Sequence, residues 1–448
     1  MKRRLPLTAR GMGAIIVAAI SLIVAAEAGV PPLVYFALLL LALVAAAAIW
    51  VYLPRNADAI SRVLDPGLVV VDDEAVMRVH IGIRTQLPLP AMRWQDQMPP
   101  GLSALDSRRH RAEWVQNGGG LEVFAALGSA AALAPQQHAT GVMLGVSSRL
   151  RGGERTVTVT YPVYGRRRGV HPVGPFTMQA TDPFGLVRRT TVIRIPATPV
   201  TVIPAVIELA ALHDSWAAAG GAVDTTITHL GQGADNLIAR AYMPGDSMRR
   251  IHWRATAHRD QLMVRQEEQE SNPEATVVLD RGVLRWSLDA MAMTGADAGF
   301  EMAVSTCASV LVRLLRDGYA VTVIDSDGTE LIERLDAAAP GDLREAIRSL
   351  ASIAARRDDH LTELGRTLVG SMLGPLVVIT GRIDESDVAT LATLARQSAL
   401  PLLFAAAAGP GALERARAGG WRTGSIAPGM DLAQTWTAAN GAGVMRSA

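Results

Sequence analysis

Three short apolar runs in this chain end on oxygen-bearing side chains. Val321–Ile324 leads into Asp325-Ser326-Asp327-Gly328-Thr329. Paired carboxylates after a buried strand can supply nucleophilic or acid–base groups. Thr276–Leu279 ends on Asp280, and Pro375–Ile379 ends on Thr380. Strand-end carboxylates and hydroxyls can ligate Mg²⁺, although a hard cation wants several oxygen ligands. Two features oppose both chemistries. Lys2 is the only lysine, so no folded domain can supply a phosphate-binding, Schiff-base or general-base lysine. Arg281 and Arg382 bring positive charge close to where a cation would sit. Asp-Ser-Asp-Gly is also ordinary turn chemistry between two strands. The spacings G-x-x-x-x-G-K-[ST], H-E-x-x-H, G-x-S-x-G and C-x-x-C do not occur.

The densest stretch is RAYMPGDSMRRIHWRATAHRDQLMVRQEEQE, 240–270. Pro244 and Gly245 suit the centre of a type II turn, and Asp246 stands where a helix N-cap belongs. Ile251, Ala255 and His258 follow at helical spacing, and from Gln261 the period becomes two, the mark of a strand. Arg240, Arg249, Arg250, Arg254, Arg259 and Arg265 accompany Asp246, Asp260, Glu267, Glu268 and Glu270. As exposed ion pairs these contribute about 0–1 kcal/mol each and fix geometry more than they stabilise. As a docking surface for an acidic partner they gain Tyr242 and Trp253 as anchors, because Arg, Trp and Tyr are enriched at binding hot spots. The interaction candidates are Arg240, Tyr242, Asp246, Arg249, Arg250, Trp253 and Arg254.

The segment R-x-Y-x-P-G-D-x-x-R-x-I-x-W (Arg240, Tyr242, Pro244, Gly245, Asp246, Arg249, Ile251, Trp253) resembles the signature of the domain of unknown function 58 family. The upstream run RRRGVHPVGPFTMQATDPFGLVRR, 166–189, resembles that family's second landmark, a strand leading into a D-P-F-G-L turn at Asp182–Leu186. The resemblance implies a membrane-anchored bacterial protein without assigned catalytic residues. Its genes often neighbour those of MoxR-type AAA+ ATPases and transglutaminase-like membrane proteins, so such an ATPase is the partner the resemblance suggests. The C-terminal half resembles a von Willebrand factor A-like domain. That resemblance implies Mg²⁺ held by a D-x-S-x-S motif, where this chain has Asp280-Arg281-Gly282-Val283-Leu284. The Asp325/Asp327 motif resembles that of haloacid dehalogenase-like phosphatases, the competing enzymatic reading, with Mg²⁺ as its cofactor.

These residues must be positioned by a chain of 448 residues, enough for two or three domains. The net charge of +1 gives no global field to attract nucleic acid. The single cysteine, Cys307, excludes an intramolecular disulfide and suits a small buried position. Gly11–Val30 and Leu33–Leu53 are each long enough to cross a bilayer. Lys2, Arg3, Arg4 and Arg10 precede the first, Arg55 and Arg62 follow the second, and the turn between carries no Lys or Arg. The positive-inside rule then places both termini in the cytoplasm of a two-pass cell-membrane protein. Ala26-Glu27-Ala28 also fits a signal-peptide cleavage site, the alternative topology.

Strand-like runs at 68–71, 76–83, 156–165, 190–195 and 200–204 predict an antiparallel β-sandwich. The Gly- and Ala-rich stretch 116–141 reads as a loop, and the basic runs 108–111 and 166–168 as solvated. Beyond residue 274, runs at 276–280, 319–325, 375–380 and 401–408 alternate with helical segments near 297–317, 342–356 and 384–398, predicting an open α/β sheet. The expected organisation is a transmembrane hairpin (1–54), a sandwich (63–204), a flexible connector (205–239), the signature segment (240–270) and the A-like domain (271–448). The expected function is a membrane-tethered, non-enzymatic scaffold without a cofactor, bound to the lipid bilayer and to a protein partner.

Overall fold

The computed structural model describes residues 6–53, 56–84, 92–104, 116–117, 120–124, 138–143, 154–193, 196–212, 237–241, 251, 253–259, 261–267, 273–336, 340–358, 360–361, 363–368 and 373–441. Two compact units emerge. One comprises Met1–Ala205 with Ala292–Ala296 and Ile347–Ile353; the other comprises Val206–Met291, Asp297–Ala346 and Ala354–Ala448.

The first unit begins with helices α1 (Ala9–Ala28) and α2 (Pro31–Tyr52). At 1.5 Å per residue they are about 30 and 33 Å long, the thickness of a bilayer's hydrocarbon core. Both are apolar enough to cross a membrane. The Thr8 hydroxyl caps α1 by accepting from Gly11 N, and Gly29, at φ 64°, ends it in the left-handed conformation. Prolines at the first two positions of α2 fit a helix start, where N–H groups have no partner anyway. A third helix, Ala298–Arg316, is also long and apolar enough to span. Its Phe300, Val304, Cys307, Leu311 and Leu314 are buried in the protein, so it is a core helix. Burial pushes the Cys307 thiol up to about 12, consistent with a packing role.

Among the described residues thirteen strands follow. They are β1 (Asn56–Asp65), β2 (Val69–Val70), β3 (Glu74–Arg84), β4 (Met92–Gln97), β5 (Leu102–Ala104), β6 (Gln116–Asn117), β7 (Gly120–Phe124), β8 (His138–Met143), β9 (Glu154–Gly165), β10 (Gly169–Val173), β11 (Phe176–Thr181), β12 (Arg188–Ile193) and β13 (Thr198–Ile203). One sheet runs β1-β3-β9-β7-β6, with β5 also on β9; a second runs β12-β11-β4-β8; a third runs β10-β13-β2. Alternate residues of β3 (Ala75, Met77, Val79, Ile81) share one core with Trp94 of β4, Tyr161 of β9 and Phe176 of β11. The Trp94 ring stacks on Tyr161 at 5.5 Å and on Phe176 at 5.9 Å.

Three expectations need correction here. Pairing is antiparallel except at β7–β9 and β13–β2, which are parallel. The stretch 116–141 is not all loop: Leu121–Phe124 pair with Val157–Thr160, and β8 pairs with β4. The run Arg166–Arg168 is not uniformly solvated either. Arg168 is fully buried, and its guanidinium donates to the carbonyls of Leu350 and Ala351, acceptors that make burial of the charge tolerable. The stretch 108–111 and the connector's 213–236 lie outside the described residues.

In the second unit, β14 (Leu237–Ala241) pairs antiparallel with β15 (Met263–Glu267). A six-stranded sheet is formed by β16 (Glu274–Leu279), β17 (Ala320–Ile324), β18 (Glu330–Leu335), β19 (Leu373–Ile383), β20 (Ser398–Ala408) and β21 (Arg422–Ser425). Its order is β18-β17-β16-β19-β20-β21, parallel except for β18 at the edge. The four apolar runs read beyond residue 274 therefore lie in one buried parallel sheet, as expected of continuous hydrophobic strands. Helices Ala298–Arg316, Pro340–Leu350 and Glu385–Gln397 accompany them. Asp297 caps the first by accepting from Phe300 N, and Asp384 forms a capping box with Asp387 on the third.

Candidate functional site

The stretch that looked most like a binding surface is built as a hairpin with a helix inserted. Strand β14 carries Arg240 opposite Val264 of β15. The intervening helix, Trp253–Arg259, carries Trp253 and Arg254. Thr256 Oγ1 accepts from Met263 N at 3.0 Å, which ties the helix to the start of β15. Ile251 and Met263 are buried, whereas His258 is exposed, so the apolar stripe ends sooner than its spacing suggested. Trp253 is 69% exposed, unusual for the largest apolar side chain. Tyr242, Asp246, Arg249 and Arg250, with the Pro244-Gly245 turn, lie outside the described residues.

The other candidate chemistry falls at the carboxyl ends of the parallel strands. Strand order reverses between β16 and β19, the position at which open α/β sheets take ligands. Here Asp280 and Thr380 meet: Thr380 Oγ1 donates to Asp280 Oδ2 at 2.7 Å, and Gly282 N donates to Oδ1 at 3.1 Å. Trp286 Nε1 donates to the Asp280 carbonyl at 3.0 Å and lays the following turn over the edge. Gly381 permits that approach, because a Cβ there would lie 2.1 Å from the Arg285 carbonyl oxygen.

One strand away, Asp325 is 1% exposed. Its Oδ1 accepts from Ser326 N at 2.7 Å and Arg281 N at 3.3 Å. Its Oδ2 accepts from Arg281 Nε at 2.9 Å and Arg356 Nη1 at 3.0 Å. Arg356 also pairs with Asp327 at 2.7 Å. Further along the edge, Arg285 grips Asp387 through two bonds of 2.5 and 2.9 Å. Arg382 donates to the Trp286 carbonyl at 2.9 Å. Guanidinium groups thus run along the edge, each held by a carboxylate or a carbonyl. Sequence reading singled out Arg281 and Arg382 but missed Arg356, which lies far along the chain with no motif around it, and the Arg285–Asp387 pair.

This arrangement fits neither chemistry well. Burial would raise the Asp327 pKa, but Thr329 N–H and Arg356 outweigh it and hold the carboxyl below the ordinary range. A general acid working near neutral pH needs the opposite shift. The Asp325 oxygens are each committed twice, two of those bonds to cations that lower nucleophilicity. For Mg²⁺, both Asp280 oxygens are occupied, and glycine and leucine stand at the two serine positions of D-x-S-x-S. Among the described residues no three His, Cys, Asp or Glu side chains lie close enough to share a metal ion. The Asp325–Thr329 segment instead forms the β17–β18 turn, with Asp325 N donating to the Thr329 carbonyl at 2.8 Å and Gly328 at φ 85°.

The depressed Asp327 gives the second unit a pH signature. A carboxylate whose folded pKa is lowered contributes stability above its unfolded value, about 4, and loses it as pH falls through the folded value. Urea denaturation followed by tryptophan fluorescence therefore shows a midpoint that declines below about pH 4, and Arg356→Ala flattens that decline.

The fold and site define a class: two membrane-length helices, several β-sheets, and an α/β unit with a guanidinium-lined edge. Residues 238–368 match the model of a family described as "Protein of unknown function DUF58". That span begins with β14 and includes the Trp253 helix, Asp280, Asp325 and Arg356. The chain is also similar to "Uncharacterized protein YeaD" of Bacillus subtilis (strain 168), with 25% identity over 237 residues. The alignment covers 52% of this chain and 55% of that protein, about half the length of each. The family match spans the R-x-Y-x-P-G-D motif and, with this relative, supports the family resemblance.

Proposed function

We propose that the protein is a membrane-tethered, non-enzymatic adaptor whose hairpin-and-helix element, residues 237–267, docks a protein partner. The observation that carries the reading is Trp253, an exposed aromatic at the start of a helix that also bears Arg254. Trp and Arg are the residue types that most often anchor protein interfaces. The saturated Asp325 and the closed Asp280–Thr380 pair support the non-catalytic half of the proposal. The doubly wound sheet order supports the A-like reading of the second unit. A MoxR-type AAA+ ATPase is the candidate partner on the family resemblance, in cell-envelope or stress-related assembly. Capture of such a purified ATPase by the detergent-solubilised full chain tests the proposal. At least one of Arg249→Ala, Arg250→Ala and Arg254→Ala weakens capture while leaving the melting temperature unchanged.

The adaptor faces the cytoplasm in this proposal, with residues 55–448 and both termini on that side. A reporter active only outside the cytoplasm, fused after Ala448, stays silent. Activity of that reporter overturns the topology and favours the signal-peptide alternative.

A further inference from the structure

The D-P-F-G-L turn plays no part in the docking proposal, yet it is among the most tightly fixed features of the first unit. Asp182 is buried and holds the turn with both carboxylate oxygens, accepting from Phe184 N at 2.9 Å and Val187 N at 2.6 Å. Gly185, at φ 70°, closes it by donating to the Asp182 carbonyl at 3.0 Å. The turn is fastened to the helix pair. Thr8 N donates to the Leu186 carbonyl at 2.9 Å, Thr8 Oγ1 to the Gly185 carbonyl at 2.6 Å, and Arg188 N to the Pro6 carbonyl at 2.8 Å. Gly11 is needed at this contact, because a Cβ there would lie 2.2 Å from the Leu186 carbonyl oxygen. Leu186 and Val187 share a core with Ala47 and Val51.

Helix rise converts those contacts into depth. Ala47 and Val51 lie about 7.5 and 1.5 Å inside the Tyr52 end of α2, and Gly11 about 3 Å inside the Ala9 end of α1. The turn therefore stands level with the boundary of the hydrocarbon if the helices span. At that level, Phe184 is held 58% exposed on a rigid turn and is in no core. Tyr52 is 49% exposed beside it in height, with the Arg189 guanidinium 5.2 Å from its ring centroid. The Arg10 guanidinium lies alongside Gly185. Among the described residues neither Arg10 nor Arg189 forms an ion pair. Exposed aromatics at a headgroup level, flanked by uncompensated arginines, match an anionic bilayer surface in both polarity and charge.

We propose that the turn Asp182–Leu186 is a third membrane-contacting element: Phe184 enters the headgroup region, and Arg10 and Arg189 hold anionic phospholipid headgroups. The proposal rests on the reading of α1 and α2 as membrane-spanning, and its test separates the two. The full chain is reconstituted in phosphatidylcholine vesicles with and without phosphatidylglycerol. A fluorophore is attached at Phe184→Cys or, as reference, at Ile20→Cys; Cys307 is fully buried and stays unlabelled. Lipids carrying a nitroxide on the headgroup or midway along the acyl chain act as quenchers. The expected result is loss of Ile20 fluorescence to the mid-chain nitroxide and of Phe184 fluorescence to the headgroup nitroxide. Phosphatidylglycerol deepens the second loss, and Arg10→Gln with Arg189→Gln abolishes that deepening. An unquenched Phe184 probe beside a quenched Ile20 probe overturns the proposal and leaves the spanning reading intact. An unquenched Ile20 probe overturns both. Equal Phe184 quenching in the two vesicle types overturns the anionic-lipid assignment.

Discussion

Asp325→Ala destabilises the second unit by about 3 kcal/mol, toward the lower end of what breaking a buried ion pair costs. The carboxylate is buried; its loss leaves Arg281 without its carboxylate and removes one of two from Arg356, which keeps Asp327. Those arginines keep 18% and 29% of their side-chain surface, so water relieves part of the penalty. Removing a partner is worse than never having had one, because the remaining charge stays desolvated. Urea denaturation of wild type and variant reads the difference directly. The same residue decides between adaptor and phosphatase. Purified protein with Mg²⁺ does not hydrolyse a generic phosphomonoester, and Asp325→Asn leaves any background rate unchanged. Mg²⁺-dependent turnover abolished by Asp325→Asn would make Asp325 a nucleophile and refute the adaptor.

Asp96→Ala costs the first unit about 3–5 kcal/mol by the same physics in a drier place. Asp96 is fully buried on the inward face of β4, and the Arg62 side chain is 1% exposed. Two bonds join them, Nε to Oδ2 at 3.1 Å and Nη2 to Oδ1 at 2.9 Å. Tyr161 donates to Oδ2 at 2.6 Å, and burial first, then the Asp96 charge, raises its pKa well above the usual tyrosine value. Alanine at 96 leaves a guanidinium and a phenol inside this core without the carboxylate that accepts from both. The contrast is Arg78–Asp65, whose side chains are 45% and 56% exposed. Arg78→Ala there changes stability by at most about 1 kcal/mol. Thermal melts of the two variants separate these cases.

Legibility in the sequence followed how much each element depends on its own residues. Strands β16, β17, β19 and β20 are continuous apolar runs because both sheet faces are covered, and the two N-terminal helices are apolar over the length a bilayer requires. Strands β1 and β4 carry no such run. Met92-Arg93-Trp94-Gln95-Asp96-Gln97 does alternate in burial, but its third inward residue is an aspartate. The distant Arg62 and Tyr161 make that position tolerable. Arg168 misled for the same reason, since its acceptors are backbone carbonyls of Leu350 and Ala351 far along the chain. At the sheet edge, Asp280, Arg281, Asp325 and Thr380 were legible as strand-end residues, whereas Arg356 was not. Its role depends on the fold bringing it to Asp325 and Asp327.

The docking surface is the central claim, and Trp253 tests it most directly. The measurement is equilibrium binding of a purified MoxR-type AAA+ ATPase to the full chain in detergent, in EDTA, for wild type and Trp253→Ala, with a thermal melt of each. Saturable binding that needs no divalent cation is the expected result. Trp253→Ala weakens it by roughly thirtyfold, the ≥ 2 kcal/mol of a hot-spot aromatic, while its exposed side chain leaves the melting temperature unchanged. Wild-type affinity in Trp253→Ala, or a loss of binding matched by a loss of melting temperature, contradicts it.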